Sequence, residues 1–177
     1  GNINLPNVPN EFGAAVSMQA QDAVLVGSNG LILGNSNIAG NLSVTAVTGN
    51  VTQSSIGALS VSGSSSFTAT HGDVLLTSAN TLIQSVTLDA MNATIHTASA
   101  LTLAASTVTS NLNVIADIGD ITQTGPLTVT GTSNLNAVAG NIALTDVANS
   151  FGDRVTVTTP QALQLTSSGA LSMGIVN

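Results

Sequence analysis

Along the whole chain, apolar and polar residues alternate in short bursts that stop at Gly, Asn or Ser before reaching helical length. Residues 23–26 read AVLV, 42–46 read LSVTA, 59–63 read LSVSG and 127–131 read LTVTG. A period of two places successive side chains on opposite faces of a strand, so each burst predicts a short β-strand with one buried face. The i, i+3, i+4, i+7 spacing of an amphipathic helix is not sustained anywhere. Thr, Val, Ser and Asn, which fill these bursts, are also poor helix formers. An all-β chain of many short strands is predicted.

The bursts recur on a longer period. GNINLPNVPNEFGAAVSM begins at Gly1, and GNIALTDVANSFGDRVTV begins at Gly140. Asn10-Glu11-Phe12-Gly13 then falls on Asn149-Ser150-Phe151-Gly152 without a gap. A middle copy, GDVLLTSANTLIQSVTL, begins at Gly72 and is one residue shorter before Leu82. In the same way NLSVTAVTGNVTQ from Asn41 matches NLNVIADIGDITQ from Asn111. The chain thus holds about two and a half copies of one unit: 1–71, 72–139 and a partial copy over 140–177. A length difference between copies falls at SSIGA (54–58) against TGP (124–126), where glycine and proline mark a turn.

A change of length confined to a turn suits a solenoid, in which each coil must stack on the next. An antiparallel β-sandwich also has alternating strands and regular turns, but it gives no reason for the repeated columns of like residues. The inward positions Val44, Val61, Leu112, Val114, Leu127, Val129, Val155 and Val157 are small or aliphatic, and Trp is absent. That selection fits a narrow coil interior. Asn41 with Asn111, and Gln53 with Gln123, are expected to stack as like residues whose amides form ladders. Residues 1–177 are therefore predicted to form one right-handed parallel β-helix, the hand following the usual parallel crossover. Coils of three strands take roughly 20–24 residues, so about eight coils make a rod of nearly 40 Å.

Composition removes several function classes. Charged residues make up 5% of the chain, against about 25% in soluble domains. Lys is absent, Arg154 is the only Lys or Arg, and the formal net charge is −7. Nucleic acids and anionic membranes recruit clustered Lys and Arg, so neither is an expected partner. Mean hydropathy is +0.44, yet no apolar run approaches the roughly 18 residues of a spanning helix. Three Phe without Trp or Tyr cannot build the aromatic girdles of a membrane barrel, so no membrane insertion is expected. With no Cys, a disulfide framework and a thiolate metal site are both unavailable. No signal sequence opens the chain and it stops inside a repeat, so it reads as a piece of something longer.

At this point a family resemblance is visible. GNVTQ (49–53), GDITQ (119–123), LTVTGTSNLNA (127–137) and ANSFGDRVTVT (148–158) resemble the passenger repeats of filamentous haemagglutinin-like exoproteins. Those are very large bacterial adhesins of the two-partner and related secretion pathways. The resemblance covers nearly the whole chain and implies a parallel β-helix that projects binding regions away from the cell. The asparagine-proline-asparagine of the amino-terminal secretion signature is missing, since Pro6-Asn7 follows Leu5. The resemblance thus points to shaft, not export signal.

Candidate chemistry is sparse. Solenoids do carry glycan-cleaving enzymes, which use paired carboxylates. Here Asp73 aligns with Asn2 and Asn141, and Asp120 with Asn50. A position filled by either Asp or Asn signals hydrogen bonding to backbone rather than acid–base work. Asp117 and Asp120 straddle one turn and are the best remaining pair for a cation, but calcium wants six to eight oxygens. His71 and His96 lack a Cys or His neighbour that would make a metal or catalytic site. Arg154 follows Asp153 and is expected to form a local ion pair of little worth. Phe12 and Phe151 are expected to plug a coil corner. Thr-x-Thr at Thr107, Thr128 and Thr156 raises an ice-binding array, but Ser60 and Ser62 replace Thr128 and Thr130 in the earlier copy, and strand propensity explains the threonines.

No catalytic residue, cofactor-binding residue or metal ligand is therefore assigned, no cofactor is expected, and no enzyme is expected. The leading expectation is a structural, adhesive shaft of a secreted exoprotein at the bacterial cell surface. Its partners are neighbouring repeats of the same parent chain, with a glycan or cell-surface receptor as the ligand class. The alternative is a self-assembling extracellular filament whose copies stack end to end through open, uncapped coil edges.

Overall fold

The computed structural model describes residues 1–7 and 10–176, and within them the chain is all-β with no helix. The first copy holds β1 (Ile3–Leu5), β2 (Gln19–Ala20), β3 (Ala23–Gly27), β4 (Leu31–Leu33), β5 (Ser36–Ile38), β6 (Leu42–Ala46), β7 (Val51–Gln53), β8 (Leu59–Val61) and β9 (Ser65–Ala69). The second holds β10 (Val74–Leu82), β11 (Ser85–Ala90), β12 (Ala93–Thr97), β13 (Leu101–Leu103), β14 (Ser106–Val108), β15 (Leu112–Ala116), β16 (Ile121–Gln123), β17 (Leu127–Val129) and β18 (Ser133–Ala137). β19 (Ile142–Leu144), β20 (Ser150–Phe151), β21 (Val155–Thr158), β22 (Leu163–Leu165) and β23 (Met173–Val176) complete the chain.

Among the described residues the ladders between these strands are all parallel, as in β3 on β6, where Ala23 faces Leu42 and Gly27 faces Ala46. The strands form three stacks, one per face of a coil. The first stack is β1, β3, β6, β9, β11, β14, β17 and β20. The second is β4, β7, the start of β10, β12, β15, β18, β21 and β23. The third begins with β2, β5, β8 and the end of β10. It continues as β13, β16, β19 and β22, with β13 resting on the start of β11. The result is a β-solenoid of about eight coils.

Alternation drives this winding. In β6, Leu42, Val44 and Ala46 are buried while Ser43 and Thr45 are half-exposed. The eight inward positions expected from the sequence are all buried. Stacked columns of Leu, Val, Ile and Ala, with Phe67 and Phe151, fill the interior. Each fully buried Leu or Val contributes about 1.5–3 kcal/mol by leaving water. Turns close the coils, and at Gly49 and Gly119 the backbone enters the left-handed region, with φ of 82° and 93°. A side chain is strained there, which explains the glycine at this station in both copies.

One expectation is corrected. Asn41 does not stack with Asn111, nor Gln53 with Gln123. β3 lies in the first stack, its equivalent β12 in the second, and the next equivalent, β22, in the third. Paired residues on adjacent coils are 17 to 23 residues apart, with 21 recurrent. A unit of about 70 residues therefore completes three coils and one extra face, so each copy is rotated by a third of a turn relative to the last. The extra side is β11, a long strand followed directly by another long strand, β12.

Candidate functional site

Three polar devices and three outward faces are the places where this rod could do chemistry. The first device is a ladder of Asn and Asp at each corner. On one corner Asn2 Oδ1 accepts the Asp22 N–H at 3.3 Å, Asp22 Oδ1 the Asn41 N–H at 2.9 Å, and Asn41 Oδ1 the Ser64 N–H at 2.9 Å. On the second, Asn50, Asp73, Asn92 and Asn111 each accept the main-chain N–H one coil up, ending on Thr132, at 2.8–3.1 Å. On the third, Asp120 accepts from Asn141 at 2.7 Å and Asn141 from Ala162 at 3.0 Å. The expectation that Asp and Asn interchange because they bond backbone holds, with the bond running between coils. The amide ladders exist too, built from successive coils and not from successive copies.

The second device is a buried amide clasp. Asn80 is fully buried; its Oδ1 accepts the Gln53 Nε2 at 2.7 Å and the Leu59 N–H at 2.8 Å, while its Nδ2 donates to Gln53 Oε1 at 3.2 Å. Asn149 does the same with Gln123 and Leu127. The Gln Nε2 then donates across the turn, to Gly57 O in one copy and Gly125 O in the other. The clasp thus survives the length change between SSIGA and TGP. Sequence reading singled out both glutamines but not their partners, which lie 27 and 26 residues away. The repetition of Asn10, Asn80 and Asn149 was the available signal.

The third device is the His96–Asp117 pair. His96 Nε2 lies 2.9 Å from Asp117 Oδ2 and 3.0 Å from Oδ1, with Nδ1 3.3 Å from the Thr77 carbonyl. Asp117 reaches His96 because the two sit on adjacent coils, 21 residues apart. Both ring nitrogens are engaged, and Asp120, the other half of the expected cation pair, is turned to its corner ladder. The two aspartates therefore serve different partners.

The other singled-out residues fall on the surface or in the packing. Asp153 Oδ1 accepts the Arg154 main-chain N–H at 2.7 Å; among the described residues the His96–Asp117 contact is the one salt bridge, so the expected Asp153–Arg154 side-chain pair is replaced by this backbone bond. His71 is exposed beside Thr70 Oγ1. Phe151 is buried and Phe12 half-buried. Thr107 stacks directly on Thr128, and both belong to a polar outward column of Thr45, Thr68, Asp89, Thr107, Thr128 and Ser150. Thr156 belongs to another face, over Asn134.

Surface grooves follow the strands. One is lined by Ser17, Gln19, Asn35, Asn37 and Ser60. A second is lined by Val24, Ser43, Ser66, Thr87 and Asp22, whose carboxylate already holds the Asn41 N–H. Such walls offer hydroxyls and amides to a polar ligand. Among the described residues no three His, Cys, Asp or Glu side chains gather where they could hold a metal ion, and no helix is long and apolar enough to cross a membrane.

Comparison with known proteins adds one finding. The model of a family described as repeats of unknown function (DUF5649) matches residues 20–89 and again residues 90–158. The two matches begin at Ala20 and Ala90, which hold equivalent stations of successive units. No curated protein and no solved structure matches the chain.

Proposed function

The chain belongs to the DUF5649 family of repeats, and from that premise we propose that it is a length of rigid, adhesive shaft in a large secreted protein at the bacterial cell surface. The observation that carries this reading is the run of parallel, hydrogen-bonded coils whose corner Asn and Asp side chains are spent on the neighbouring coil. A rod so built holds whatever lies at its far end away from its anchor, and it offers proteases few free strands. The filamentous haemagglutinin-like repeats that the sequence resembles supply the adhesin context, and a glycan or cell-surface receptor is the ligand class. A lysine-free surface of net charge −7 discourages nonspecific association with acidic surfaces.

The test is geometric. One, two or three units placed between a surface anchor and an epitope should raise the epitope by equal steps of about 16 Å per unit, at about 4.8 Å per coil. Atomic force microscopy reads the step. A height that does not grow with unit number contradicts the shaft.

A filament of separate copies is the second reading. Met173, Ile175 and Val176 in β23 are 39%, 66% and 50% exposed. Sizing across concentration separates the readings: a monomer at every concentration removes the filament.

A further inference from the structure

Asn29 is the one asparagine of the chain that precedes a glycine. The pairing matters chemically, because a residue without a Cβ leaves its main-chain nitrogen open to the side chain before it. Asn29 and Gly30 lie in the turn between β3 and β4, and both are exposed. Among the described residues the Gly30 N–H meets no acceptor, whereas the Leu31 N–H is tied to the Asn50 carbonyl at 2.8 Å. The Asn29 side chain is loosely held as well. Its polar contact among the described residues is Thr48 Oγ1, 3.5 Å from Oδ1, at the outer limit of a hydrogen bond.

Asparagines before other small residues are fixed in place. After Asn35, the Ser36 N–H donates to the Ala58 carbonyl at 3.0 Å, and after Asn92, the Ala93 N–H donates to the Asn111 carbonyl at 2.9 Å. Asn136 precedes Ala137 inside the β15–β18 ladder. Asn149, before Ser150, is buried in its clasp.

We infer that Asn29 is a site of spontaneous deamidation, a modification that turns one neutral corner of the rod acidic. The Gly30 nitrogen loses its proton to solvent and attacks Asn29 Cγ. The N–Cγ bond forms, the Cγ–Nδ2 bond breaks, and the amide leaves as ammonia with a proton taken back from water. Water then opens the cyclic imide at either carbonyl. Attack at Cγ restores the ordinary main chain with an aspartate. Attack at the Asn29 main-chain carbonyl gives isoaspartate, which routes the chain through Cβ and Cγ and lengthens the turn by one methylene. Water is the only co-reactant.

The space around the turn gives the second product a consequence. A Cβ placed on Gly49, in the coil above, would come within 3.0 Å of Gly30 N and 3.3 Å of Gly30 Cα. The two turns are thus in backbone contact, and a lengthened one displaces its neighbour. The bond between Leu31 and Asn50 is the first to loosen. The matching station of the following unit reads Ser99-Ala100 and has no amide to lose, so the modification falls on one unit and not on the next. This inference goes beyond the shaft reading and does not depend on it.

The test incubates the whole chain, folded and in urea, in mildly alkaline buffer. Peptide mass mapping and enzymatic methylation of isoaspartate locate the product. In the fold Asn29 is expected to react within about tenfold of its rate in urea, and about tenfold or more faster than any other asparagine. The rate should rise with pH, because the attacking nitrogen must lose its proton. Asn29→Ser, taking the residue of the matching station, should abolish the reaction with the unfolding midpoint unchanged. Gly30→Ala should slow it about tenfold in urea as well as in the fold, which places the attack at that nitrogen. In the isoaspartate form the Leu31 amide should exchange about tenfold faster. Protection of Asn29 by more than about tenfold in the fold, or a faster reaction at another asparagine, overturns the inference.

Discussion

Gln123 and Asn149, 26 residues apart in the chain, exchange two amide hydrogen bonds of 2.9 Å between adjacent coils. Asn149 is completely buried, and its Oδ1 also takes the Leu127 N–H at 2.8 Å. Asn149→Ala leaves the Leu127 N–H without a partner in the interior and removes two hydrogen bonds from the glutamine amide, which keeps its bond to the Gly125 carbonyl. The expected cost is about 3 kcal/mol of stability, read as a lowered denaturant midpoint. Gln123→Ala should cost less, because Gln123 is half-exposed and water reaches part of what it leaves. A double-mutant cycle should return a coupling of about 1 kcal/mol or more. Strict additivity would show that the pair is not a unit.

Buried serines provide a contrast in sign. Ser106 Oγ accepts the Leu88 N–H at 3.0 Å and donates to Ala104 O at 2.9 Å, and Ser36 makes the same two bonds with Met18 and Gly34. Ser65 and Ser133 occupy one inward station of successive copies, and their hydroxyls have no partner among the described residues. Ser133→Ala is expected to raise stability by about 1 kcal/mol, and Ser106→Ala to lower it by about as much. Thermal unfolding of the two variants checks both signs at once.

Glycine stations should differ in how much they resist alanine. Gly119, at φ 93°, faces a cost of about 1–2 kcal/mol for a left-handed alanine. At Gly140 a Cβ would run into the Gly119 carbonyl oxygen of the coil below, a backbone atom with nowhere to move. Gly140→Ala is therefore expected to be the more damaging, with coil separation visible as faster amide exchange in β16 and β19. Equal effects would contradict the close stacking of the two turns.

The His96–Asp117 pair should matter little to stability. Its side chains are 27% and 42% exposed, and exposed pairs contribute about 0–1 kcal/mol. Asp117→Asn should leave the unfolding midpoint nearly unchanged. A large loss would mean that the pair anchors something beyond the two coils it joins.

Much of the fold could be read in advance, for identifiable reasons. Alternation in LSVTA and LTVTG set which side chains face in, and turn residues at Gly49 and Gly119 set where coils close. The stacking partners could not be read that way. Matching Asn41 to Asn111 identifies equivalent stations, but contact is decided by how many residues fill one coil, and Asn41 sits over Asp22. The same gap hid Asp117 from His96 and Asn80 from Gln53. These are neighbours one coil apart, while a sequence comparison returns neighbours one unit apart. Ser65 and Ser106 likewise look alike in sequence, and only the placement of a nearby N–H and carbonyl separates a satisfied hydroxyl from an orphan.

The central claim is that the coils are parallel and that each unit ends one face beyond where it began. Spin labels on Thr45 and Thr128 test it by pulsed electron resonance, since these outward residues share a column through Thr68, Asp89 and Thr107. Four coils predict one narrow distance of about 19 Å, at about 4.8 Å per coil. Units stacked in phase would place Thr128 on a different face, with Thr45 lying three coils beneath its equivalent, Ile115. A narrow distance of about 14 Å between Thr45 and Ile115, the rise of three coils, or a broad distribution between Thr45 and Thr128, would contradict the winding described here.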